Sequence, residues 1–139
     1  MAGNVGIETV GVAAAISFLN KELKRVEKEL NEGVSQATMF LQGEIVKSIS
    51  GAKSETRSVD TGRFMQSVQS TVNLGVGHVH TNVEYAPFLE YGTSRLSPRR
   101  HFWNSLERNR DRINEIIADR LNQKFKASTT GLEAQDYRT

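Results

Sequence analysis

From Ile16 onward the apolar residues fall at Ile16, Leu19, Leu23, Val26 and Leu30, then at Val34, Ala37, Leu41, Ile45 and Ile49. Steps of three and four throughout describe one amphipathic stripe of helical period, with Lys21, Lys24, Lys28 and Glu32 lying off it. A continuous helix over this span is about 50 Å long at 1.5 Å per residue. That exceeds the body of so small a domain, so part of the stripe calls for a partner chain. Gly33 leaves an alternative: a two-helix hairpin broken there, which buries the same stripe internally.

Beyond the helix, Ser50 to Val59 is polar and without period, as an exposed loop should be. Asp60 and Thr61 offer N-cap oxygens to a short helical turn that sets Phe64 and Val68 on one side. Val68, Ser70, Val72 and Leu74 then alternate with Gln69, Thr71 and Asn73, the period-two signature of a half-buried strand. Gly75-Val76-Gly77 supplies a turn, and Val79, Thr81, Val83 and Tyr85 alternate as a second strand, giving a hairpin. Ile7 to Val10 is a candidate edge strand ahead of the long helix.

Trp103, Leu106, Ile113, Ile117, Leu121 and Phe125 restore the helical period, with Pro98 upstream of the entrance and Ser128-Thr129-Thr130-Gly131 ending the pattern. The order helix, hairpin, helix predicts an α+β domain over residues 1–126: a small antiparallel sheet packed by a long N-terminal and a C-terminal helix. A polar tail occupies 127–139.

Composition narrows the function classes. With 139 residues, 37% hydrophobic and 24% charged, the chain has the make-up of one soluble globular domain. Cysteine is absent, which excludes disulfides and thiolate metal sites and fits a reducing compartment. The apolar run from Val10 to Leu19 is too short for a membrane span and lacks the basic flank of a signal peptide, so an unexported chain is expected. Net charge is only +2, but residues 95–126 hold nine Lys or Arg against four acids. This segment, with Arg95, Arg99, Arg100, Arg108, Arg110 and Arg112, is a candidate face for DNA or an acidic partner, or else a solvated helix surface.

Candidate chemistry is sparse. His78, His80 and Glu84 fall on one face of the second strand, and two histidines with a carboxylate can hold a divalent metal; a solvated strand face is the plainer reading. No G-x-S-x-G elbow, serine–histidine–acid motif or Walker loop is present. The run R-L-S-P-R-R-H-F-W, Arg95 to Trp103, alternates base and aromatic as single-strand binders do, although Phe102 and Trp103 also open the apolar face of the last helix. A nucleic-acid-binding module and, behind it, a metal-dependent hydrolase are therefore the rivals of an assembly role. No cofactor is expected.

The densest stretch is V-E-Y-A-P-F-L-E-Y-G-T-S, Val83 to Ser94. Pro87 suits the first turn of a helix and Gly92 its C-terminal cap, leaving little more than one turn to carry Tyr85, Phe88, Leu89 and Tyr91 as an aromatic plug. Glu90 among these rings needs a partner to stay charged, and Arg63 is the candidate.

These residues also carry a resemblance. Asp60-Thr61-Gly62-Arg63-Phe64, followed by Tyr85-Ala86-Pro87 with Glu90 and Gly92-Thr93, and then Arg100-His101-Phe102, resemble the type 1 neck and tail-component proteins of long-tailed bacteriophages. The resemblance spans roughly residues 5 to 126 and is motif-level from Asp60 to Phe102. His101 stands where that family usually has proline, implying a looser entrance to the last helix. The resemblance implies a virion structural protein without catalytic residues, one that forms a ring of copies between head-closure or connector proteins and tail-terminator or tail-tube proteins, around the DNA channel. Its matched positions would define the fold.

Overall fold

In the computed structural model the backbone is described for residues 2–136 and the side-chain surroundings for residues 12–123. Helix α1 runs without a break over Ala2–Ser50. Its 49 residues reach about 74 Å at 1.5 Å per residue. A short helix α2 (Arg63–Ser67), a hairpin of β1 (Gln69–Asn73) and β2 (Val76–His80), a one-turn α3 (Ala86–Tyr91) and a long α4 (His101–Asp136) follow. The architecture is α+β, as expected from periodicity.

Several boundaries differ from expectation. Ile7 to Val10 belongs to α1 and forms no edge strand; a strand there would have needed a sheet edge to join. Gly33 does not break the helix, because α4 crosses it closely: a Cβ at Gly33 would stand 3.4 Å from Arg120 Cβ and 3.5 Å from Ile117 Cα. α4 continues past Ser128–Gly131 to Asp136, where a polar tail was expected. The hairpin turn is Leu74–Gly75, not Gly75–Gly77, and both residues have positive φ (50° and 78°), the two-residue connection that matches strand twist. A left-handed leucine carries a backbone cost on the order of 1 kcal/mol, and Leu74 is 89% exposed at this tip. β2 stops at His80, so Glu84 and Tyr85 lie beyond the sheet.

α1 is the ridge on which the rest is laid. The hairpin covers one flank, and α4 runs antiparallel along another, from the Ser48–His101 hydrogen bond at one end to the Arg120–Glu29 ion pair at the other. The core gathers Ile45 and Ile49 of α1 with Phe64, Val68, Val83 and Ala86, each at most 5% exposed. Phe64 is central: its ring meets Tyr85 and His101 edge-on at 6.0 and 6.1 Å and lies 6.5 Å from Phe102. Further along, Gly77 lets β2 touch α1, since a Cβ there would come within 2.0 Å of Thr38 Oγ1 and 3.1 Å of Thr38 Cβ.

This close approach sets a test. Gly77→Ala should lower stability by about 1–3 kcal/mol in urea unfolding, as overpacking does. In a Thr38→Ala background the same change should cost clearly less, because the hydroxyl and methyl in its way are gone. Equal costs in the two backgrounds would exclude the contact.

Candidate interaction surface and the motif cluster

The resembling motif residues do not converge on a reactive centre; they tie α2, α3 and α4 together. Gly62, at φ 81°, is the N-cap of α2 and no side chain caps that helix, contrary to the expectation for Asp60 and Thr61. Both are exposed, and the Thr61 hydroxyl accepts only a long bond from Arg63 N at 3.4 Å. Arg63 pairs with Glu84 at 3.1 Å on the surface, not with Glu90.

Glu90 has a different task. Its two carboxylate oxygens accept the backbone N–H groups of Trp103 at 2.9 Å and Phe102 at 3.1 Å, the open donors at the start of α4. A carboxylate there satisfies orphan amides and faces the positive end of the helix dipole. Arg100, just before α4, has φ 53°, so the chain enters the helix through a left-handed residue while its carbonyl accepts Asn104 N–H at 2.9 Å.

The aromatic plug is only half as expected. One helical turn can turn only part of its circumference inward: Ala86 is buried and Leu89 packs on the core, while Phe88 and Tyr91 face outward and Pro87 stands exposed in the first turn. Gly92, at φ 78°, has no room for a side chain, since a Cβ would meet Leu96 O at 2.7 Å and Pro98 Cδ at 2.8 Å. Thr93 closes the following turn: its hydroxyl accepts Leu96 N–H and its own N–H donates to Leu96 O. Phe102 is half-buried against the core, whereas Trp103, expected there too, is 54% exposed.

A buried polar network joins α1, the 51–60 loop and α4. His101 is fully buried, with Nδ1 2.8 Å from Ser48 Oγ and Nε2 2.7 Å from Ser58 Oγ. Ser48 Oγ donates to Glu55 at 2.9 Å, and Arg99 Nη1 donates to Ser58 Oγ at 2.7 Å. These bonds link Arg99, Ser58, His101, Ser48 and Glu55 in one chain, with Thr56 O a further acceptor for the Ser58 hydroxyl at 3.2 Å, and Arg108 grips Glu55 with both terminal guanidinium nitrogens. The entrance expected to be loosened by His101 is therefore anchored by it. Although serine, histidine and acid meet here, the imidazole is closed to substrate and both its nitrogens are occupied.

Burial pushes the His101 pKa below its ordinary 6.5, with the Glu55 charge opposing and Arg99 reinforcing the shift. Burial alone would raise the Glu55 carboxyl, but hydrogen bonds from Arg108, Ser54 and Ser48 outweigh it and hold it at about 2. Spacing offers no clue to this network, whose partners are 53 and 43 positions apart; the one hint is Ser48, a polar residue beside the apolar stripe.

The other predicted site residues separate. His78 and His80 are exposed on β2, Glu84 is off the strand, and among the described residues no three His, Asp or Glu side chains form a metal-holding group. Half of the six arginines are paired with carboxylates: Arg108 with Glu55, Arg110 with Glu107 and Arg112 with Glu115. Arg99 is bound to Arg57 O and Ser58, while Arg95 and Arg100 are exposed with no carboxylate partner among the described residues. No helix among the described residues is long and apolar enough to cross a membrane.

Two surfaces stand out among the described residues. Along α1, Val12, Ile16, Leu19 and Leu23 are 54 to 61% exposed, with Phe18 beside them at 63%. On the other side of the hairpin tip, a groove of about 910 Å³ lies between β2, α3 and the start of α4, floored by Leu41 and Ile45. No protein-family model, curated protein or solved structure matches the chain.

Two outcomes follow from these contacts. Glu90→Ala should cost about 1–2 kcal/mol in urea unfolding through the lost cap, Arg63→Gln less than about 0.5 kcal/mol, and the double variant their sum; a coupling energy would contradict the separate partners. Acid should destabilise the chain in two steps. A folded-state histidine pKa below 6.5 means the unfolded chain takes up more protons, so stability falls as pH drops below about 7. The Glu55 contribution is present above 4.5 and lost toward about 2, roughly 3 kcal/mol at 1.36 kcal/mol per pH unit. Urea midpoints across pH 7 to 3 read both limbs, and His101→Asn should flatten only the upper one.

Proposed function

We propose that this chain is a non-enzymatic structural protein of the head–tail junction of a long-tailed phage, which assembles with copies of itself into a ring. The observation that carries this reading is the exposed stripe Val12, Ile16, Leu19 and Leu23 on α1. Steps of four, three and four keep these side chains on one line, the spacing of a helix–helix seam. Singly exposed apolar residues are ordinary; a continuous line of them marks an interaction surface.

The motif cluster supports the same reading. Gly92 and Glu90 each serve the joints between short elements, which is what a resemblance to assembly proteins would ask of them. The buried His101 network cross-links elements and leaves no reactive group in a cleft. Head-closure or connector proteins and tail-terminator or tail-tube proteins are the expected neighbours, in the virion and, during assembly, in the host cytoplasm. Arg95 and Arg100, which meet no carboxylate among the described residues, are the cations such a ring would turn toward channel DNA or an acidic neighbour.

Native mass spectrometry and light scattering test the reading. The purified chain should form a discrete closed oligomer, and Leu19→Glu with Leu23→Glu should return it to monomer with helical circular dichroism unchanged. A wild-type chain that stays monomeric at submillimolar concentration, or a double variant that assembles equally well, would sink it.

A further inference from the structure

The groove beside β2 has a wall of unpaired backbone. The hairpin closes on the Asn73–Val76 pair, so Val76, His78 and His80 exchange ladder hydrogen bonds with Asn73, Thr71 and Gln69. The N–H and C=O groups of Gly77 and Val79 therefore point off the free edge of the two-stranded sheet, and no other group among the described residues bonds them. The groove is lined by Gly77 through Glu84 and by no residue of β1, which puts that edge on its wall. Opposite stand Phe102, Trp103 and Leu106 of α4.

We propose that this groove is a strand-acceptor site, which takes one extended segment of a partner protein carrying alternate apolar side chains and a carboxylate. Extended backbone is selected by the edge: it pairs with Gly77 and Val79, whereas a helix satisfies its own backbone groups and would leave these bare in an apolar trough. The carboxylate is selected by the rim. Glu84 is engaged by Arg63 and Glu90 by the α4 amides, while Arg100 lines the groove as an exposed cation with no acidic partner among the described residues. A second copy of the chain suits the groove less, because its described strands come as a hairpin seated on α1, and a trough walled on both sides admits a single strand. The inference rests on the groove alone and stands whether or not the chain forms a ring.

Trp103 is the only tryptophan of the chain and lies in the groove, so its emission reports filling. The probe is a short capped peptide alternating valine and threonine and ending in aspartate, with a lysine-ended version as control. The aspartate peptide should change Trp103 emission saturably and slow amide exchange at Gly77 and Val79 by about tenfold or more. Arg100→Glu should weaken it by about fivefold and favour the lysine peptide. Val79→Pro, which removes an N–H that the hairpin does not use, should abolish binding; if this variant fails to fold, the exchange readout on the wild-type chain decides. Absence of a saturable change at millimolar peptide, or unchanged exchange at Gly77 and Val79, overturns the proposal. Protection that rises with the concentration of the chain alone, without peptide, overturns the choice of occupant in favour of a second copy.

Discussion

Everything in this structure leans on one stripe of α1 that is longer than the described residues cover. Between Leu30 and Ile49 the stripe is roofed by the hairpin, Phe64, Val83 and α4, and there Ile45 and Ile49 are sealed from solvent. Between Val12 and Leu23 the same spacing continues into water. The hydrophobic effect acts on both halves alike, roughly in proportion to apolar area removed from water. Folding satisfies one half, and the other half stays exposed to solvent.

Because so few strands and one-turn helices surround α1, the small elements are held by directed polar contacts as much as by packing. Glu90 joins α3 to the first turn of α4, Gln42 reaches Val68 O and Ser70 to fasten β1 to α1, and the His101 network links α1, the 51–60 loop and α4. A buried network with every hydrogen bond made specifies one arrangement, and the penalty for leaving any member unpaired makes alternatives costly. These ties keep the free edge of β2 facing the apolar start of α4, and so create the groove.

Resemblance and geometry contribute differently to the functional reading. The motif residues account for turns and joints and for part of the groove lining, Ala86, Pro87, Glu90, Arg100 and Phe102 among them, while the exposed α1 stripe and the edge of β2 are built from residues that no short motif marks. Motif glycines such as Gly92 are constrained by their own backbone; Leu19 or Val79 are constrained only by what lies against them.

Periodicity determined the elements that depend on local pattern: the long α1 with its apolar face, the existence of a hairpin, the apolar face of α4 and the α+β class. Tertiary contacts decided the rest. Gly33 stays helical where α4 crosses, the turn falls at Leu74–Gly75 and leaves Gly77 in β2 against Thr38, and Glu90 turns from Arg63 to the amides of α4. The same holds for His101, whose serine partners come from two distant segments. Amphipathic spacing is written within a few residues of chain, whereas the choice of a partner for a carboxylate, an imidazole or a strand edge is made among groups that meet only after folding.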